Sequence, residues 1–121
     1  MAESIPGKYR QDLAIVRETA AQVLKDFGIF GFDFTFSGNA LAAYDELKEQ
    51  IIPVLTELFQ KDKSRFQALL YRIDISEKDF RKLIGSGETA DFPLVLADAI
   101  LQREFQKVLT RKYFSGGLSS E

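Results

Sequence analysis

Ile29-Phe30-Gly31-Phe32-Asp33-Phe34-Thr35-Phe36 sets an aromatic ring at every second position, with Gly31, Asp33 and Thr35 between the rings. An extended chain sends successive side chains to opposite faces, so this spacing puts four rings on one face. A single strand does not persist alone in water, and the segment therefore needs a partner elsewhere in the fold. Whether that partner is a sheet decides the fold class. The sequence on either side repeats with the helical period instead.

Upstream, Tyr9, Leu13, Val16, Ala20, Val23, Leu24 and Phe27 recur at three- and four-residue steps, which predicts a helix from about Lys8 to Phe27. Gly28 is read as its stop, because glycine takes the left-handed conformation without a Cβ penalty. Downstream, Ser37-Gly38-Asn39 reads as a turn in which Ser37 or Asn39 caps the next helix. That helix spans about Ala40 to Gln60, with a stripe of Leu41, Tyr44, Leu47, Ile51, Leu55, Leu58 and Phe59. Pro53 removes one backbone donor and crowds the preceding turn. The apolar period continues past it, which favours a kink near Glu49 to Ile52 over a break.

Lys61-Asp62-Lys63 is a charged connector, and Phe66, Leu69, Leu70 and Ile73 form a third helical stripe. Tyr71-Arg72-Ile73-Asp74-Ile75 also alternates like a strand, but the helix to Ile73 is the favoured reading. Ser76, with Asp79 three residues on, resembles a capping box and opens a fourth helix carrying Phe80, Leu83 and Ile84. After a loop from Gly85 to Asp91, Pro93 suits the first turn of a last helix bearing Leu94, Ala97, Leu101, Phe105, Val108 and Leu109. The expected fold is all-α: a bundle of four to five helices with one short extended aromatic segment near residues 29–36. Neighbouring helices on short connectors should pack antiparallel. Residues 1–114 are read as one domain and residues 115–121 as a flexible tail. Leu13, Val16, Leu47, Leu55, Phe66, Leu101 and Phe105 are the expected core.

Composition narrows the chemistry. The 121 residues include eleven Phe, no Cys and no His. Without Cys there are no disulfides or thiolate nucleophiles, which fits a reducing compartment, and the expected location is the cytoplasm. Without His the commonest general base and the Ser–His and Cys–His pairs are excluded. Gly85-Ser86-Gly87-Glu88-Thr89-Ala90 has the letters of a dinucleotide fingerprint, but a helical pattern precedes it where a strand is required. Asp45, Glu46 and Glu49 form the densest acidic cluster, and a solvated helix face accounts for them. No catalytic residue, metal or cofactor is assigned. Apolar runs are too short for a membrane span.

Net charge is −2, divided as −4 over residues 1–60 and +2 over residues 61–121. Basic residues gather in Lys61–Lys82 and Arg103–Lys112, interleaved with Asp62, Asp74, Glu77, Asp79 and Glu104. That mixture reads as a salt-bridged surface, and nucleic acid is not the expected partner. The sequence offers surfaces rather than reactive groups. It points to a small non-enzymatic interaction or regulatory domain whose partner is another protein or a second copy. The alternative is a binder of a small apolar ligand in a Phe-lined pocket between helices. Phe30, Phe32, Phe34 and Phe36 are the candidate partner or ligand surface, set against the reading that they cap the core.

Overall fold

A computed structural model describes residues 13–85 and 91–114. Among them are five α-helices and no strand: α1 (Leu13–Gly28), α2 (Ala43–Lys61), α3 (Lys63–Ile73), α4 (Glu77–Ile84) and α5 (Phe92–Phe114), with a 3₁₀ turn at Ala40–Ala42. The expected start of the first helix at Lys8, residues 86–90 of the glycine-rich loop and the 115–121 tail lie outside the described residues. No helix among the described residues is long and apolar enough to cross a membrane.

The left-handed residue that ends α1 is Gly31, at φ +91°, and not Gly28. The Phe32 N–H reaches the Phe27 carbonyl and the Gly31 N–H reaches that of Gly28, the crossed pair that closes a helix in a Schellman motif. Helical turns thus run three residues past the expected stop. α3 closes the same way around Asp74 at φ +77°: the Ile75 N–H bonds Leu70 and the Asp74 N–H bonds Tyr71. The strand-like alternation of residues 71–75 is therefore a helix end and its cap. Asp62 closes α2 and opens α3, its side chain accepting from the Arg65 N–H, and Ser76 caps α4 through the Asp79 N–H. α2 continues unbroken through Pro53.

Side-chain pairs fix the helix directions. Lys112 meets Glu18 and Lys107 meets Asp26, so α1 and α5 are antiparallel. Tyr44 packs edge-on to Phe105 and Lys48 pairs with Asp98, so α2 and α5 are antiparallel too. α1 and α2 must then run in the same direction, against the expectation that neighbours in sequence alternate. The connection has to travel back along the bundle, which explains the aromatic segment. α1 has 16 residues and is about 24 Å long at 1.5 Å per residue. Beyond the Gly31 cap, the six residues from Phe32 to Ser37 free of helix and turn cover roughly 20 Å when extended.

One main core lies between α1, α2, α3 and α5, with Val23, Phe27, Leu47, Ile51, Leu55, Leu69 and Ile100 fully buried. Phe59, Phe66, Phe80 and Phe92, one from each of α2, α3, α4 and α5, form a closed tetrad in which all six ring pairs are in contact at 4.8–6.4 Å. These rings dock α4, which has no fully buried residue of its own. Of the expected core set, Val16, Leu47, Leu55, Phe66, Leu101 and Phe105 are buried, whereas Leu13 is 45% exposed. Leu13 lies on the side of α1 that carries buried Val16 and Ala20, but it is the first residue of the helix, at the end of the bundle. Leu41 is 84% exposed because it belongs to the 3₁₀ turn, where the α-helical period does not apply.

Candidate interaction site

The extended segment is held by side chains of α2 in place of a second strand. Gln50 accepts from the Thr35 N–H and donates to the Thr35 carbonyl, both at 2.8 Å, which reproduces the two bonds of a strand partner. Glu46 accepts from the Ser37 N–H at 3.0 Å and from its hydroxyl at 2.7 Å. Those bonds hold the Glu46 carboxyl below its usual range. Arg65 donates to the Phe30 carbonyl and covers the Phe32 ring.

Phe30, Phe32, Phe34 and Phe36 are each half-buried and packed against the main core, while Gly31, Asp33 and Thr35 face solvent. The Phe34 ring stacks on Phe27 at 4.7 Å. Phe36 also packs against the small cluster of Val16, Ala40 and Ala43. The four rings thus share one inward face, and they cover α1 and α2 along the line of the crossover.

A second constellation lies on the far face, where α1, α3 and α5 meet. Asp26 and Glu104 are fully buried, although each is ionisable. Both occupy stripe positions: Asp26 follows Val23 by three residues, and Glu104 follows Ile100 by four and precedes Val108 by four. The Lys107 ammonium stands 3.3 Å from Asp26 and 3.2 Å from Glu104. Arg72 of α3 bonds Asp26 at 2.9 Å, and the Gln22 amide bonds it at 3.0 Å. Neither Glu104 oxygen has a hydrogen-bond donor among the described groups in good geometry.

That pattern fits a carboxyl that is itself the donor. Burial, followed by the hydrogen bond and the negative charge of Asp26, pushes Glu104 up to about 8, against a smaller opposing pull from Lys107. A shift in that direction favours the neutral form of Glu104 at neutral pH. Burial also pushes Asp26 upward, but the hydrogen bonds from Glu104 and Gln22, the charge of Lys107 and the bond from Arg72 together bring it below its ordinary value. The two buried carboxyls are thus pushed in opposite directions, Glu104 towards its neutral form and Asp26 towards its ionised one.

Above this pair opens a groove of about 590 Å³ lined by Arg103, Lys107 and Arg111 of α5, with Asp74 at its edge. The three cations recur every four residues, which sets them about 6 Å apart along one face of the helix. Arg103 pairs with Asp74 at 2.6 Å, and Arg111 donates to the Gln22 amide oxygen at 3.0 Å. A smaller cleft on the crossover side, about 450 Å³, is lined by Thr35, Phe36, Ser37, Glu46, Glu49 and Gln50. The sequence reading had placed Asp74 and Glu104 in a solvated charge mixture and passed over Asp26. Their stripe positions were the available signal for Asp26 and Glu104.

Against known proteins, the chain matches no family model, no curated protein and no solved structure.

Proposed function

We propose that this chain is a non-catalytic helical interaction domain that meets a protein partner through the groove along α5. One observation carries the reading: three cations stand in register on the open side of a helix whose buried side is anchored by Asp26, Glu104 and the bonds from α1 and α3. A charged row fixed on a rigid element presents a surface without reordering, so less conformational entropy opposes docking. The alternative of an apolar ligand between Phe rings has less to support it. The tetrad rings touch one another, and the crossover rings are spent on the core.

Amide chemical-shift mapping with short acidic, basic and apolar peptides tests the reading. It predicts perturbations around Gln22, Asp74, Arg103 and Arg111 with at least one peptide. Perturbations confined to residues 30–36 with the apolar peptide favour the ligand alternative. None with any of the three contradicts the interaction reading.

A further inference from the structure

The groove and the buried carboxyls beneath it share one side chain. Lys107 lines the groove and contacts both Asp26 and Glu104. On either side of it, Arg103 Nε has no hydrogen-bond acceptor among the described residues, and the Arg111 guanidinium bonds the neutral amide of Gln22. Asp74 is the one carboxylate among the described residues that line the groove, and it pairs with Arg103, while Asp26 beneath pairs with Lys107.

We propose that the groove binds a carboxylate-rich segment of a partner protein, and that Lys107, which touches both buried carboxyls, couples this binding to Asp26 and Glu104. This rests on the interaction reading above. The chemistry is complementary at the level of single contacts. Guanidinium groups pair with carboxylates in a planar fork, and a spacing of about 6 Å matches acidic residues one helical turn apart on a partner. The coupling follows from charge. A carboxylate arriving beside Lys107 adds negative potential next to Glu104 and favours its neutral form. By reciprocity, ionising Glu104 weakens the hold on that carboxylate. The groups facing the pair are Gln22 on α1, Arg72 on α3 and Lys107 on α5. α2 brings Tyr44 against Phe105, the next residue along. Of these, Asp26 and Lys107 act on Glu104 itself.

The test uses the full chain and a fluorescent oligo-glutamate peptide, followed by anisotropy at low salt. Wild type is expected to bind at about pH 6.5 and roughly fivefold more weakly at about pH 9, within the usual range of coupling energies. Glu104→Gln keeps the neutral donor and should bind equally at both pH values. Arg103→Gln with Arg111→Gln should weaken binding about tenfold with the helical circular-dichroism signal intact. Undiminished binding by that double variant overturns the site. An unchanged pH dependence in Glu104→Gln overturns the coupling alone. No binding of the oligo-glutamate by wild type overturns the ligand class, whereas the interaction reading falls only if the whole peptide panel is silent. A dimer of the protein alone that dissociates with salt, and whose loss follows the double variant, overturns the proposal by showing a second copy in the groove.

Discussion

Glu104 shows how one residue's surroundings decide its chemistry. On an exposed helix face it would be an ordinary carboxylate. On the buried stripe of α5, beside Asp26, it keeps its proton to about 8. Asp26 has the opposite fate and depends on its donors. Asp26→Ala should cost roughly 3–5 kcal/mol in chemical denaturation, because it strands Lys107 and Arg72 near a carboxyl that no longer has its acceptor. A loss no larger than that of an exposed ion pair would show that the cluster is solvated. The sequence reading treated acids among α5 cations as surface, since charged residues rarely go inside. Helical phase alone flags Asp26 and Glu104. What no single-chain pattern provides is that the two phases coincide in space, because that depends on how α1 packs on α5.

At the scale of elements, end signals were partly legible. Ser76 caps α4 as its residue type suggests, whereas Asn39 caps the 3₁₀ turn before α2, whose own N-cap, Ala42, makes no side-chain bond. The left-handed stop of α1 lies three residues beyond Gly28, at the second of two nearby glycines, where the Schellman bonds of Gly31 and Phe32 close it. The two positions make a sharp comparison. Gly28→Ala meets nothing within 4 Å and sits in helical backbone, so it should stabilise by up to ~1 kcal/mol. Gly31→Ala is forced to φ +91° and should destabilise by about 1–2 kcal/mol. Thermal melts of both variants decide it, and the reverse order would put the cap back at Gly28. The crossover makes a related prediction. Gln50→Ala removes both backbone bonds to Thr35 and should speed amide exchange at Thr35 while costing only about 1 kcal/mol. Unchanged exchange there would mean the Phe rings alone hold the segment.

For the whole molecule, the apolar stripes and the ring alternation were enough to reach an all-α bundle with an extended aromatic segment. They were not enough to fix helix directions. Parallel α1 and α2 follow from contacts with α5 that lie some 50 to 95 residues away in the chain, and local periodicity carries no such information. The tetrad of Phe59, Phe66, Phe80 and Phe92 was hidden for the same reason. Phe80 is half-buried, so Phe80→Ala should cost somewhat less than the roughly 3–5 kcal/mol of a fully buried ring, and should loosen α4 before the rest. Hydrogen exchange in which α4 opens no sooner than α5 would contradict that role for the ring.

The buried carboxyl pair also gives the molecule an unusual response to pH. The unfolded chain releases the Glu104 proton from about 4.5 upward, whereas the native chain keeps it to about 8. Stability from this group is complete below the lower value and is lost as pH rises towards the higher one. Asp26 works at the other end, adding stability above its unfolded value that is lost as pH falls through its depressed native one. The most direct measurement is therefore denaturant unfolding of wild type and Glu104→Gln from about pH 5 to pH 8. Wild type should lose on the order of 4 kcal/mol across that range relative to Glu104→Gln, from a shift of several pKa units at 1.36 kcal/mol each. Parallel curves for the two proteins would show that Glu104 ionises normally and that its burial beside Asp26 does not hold its proton.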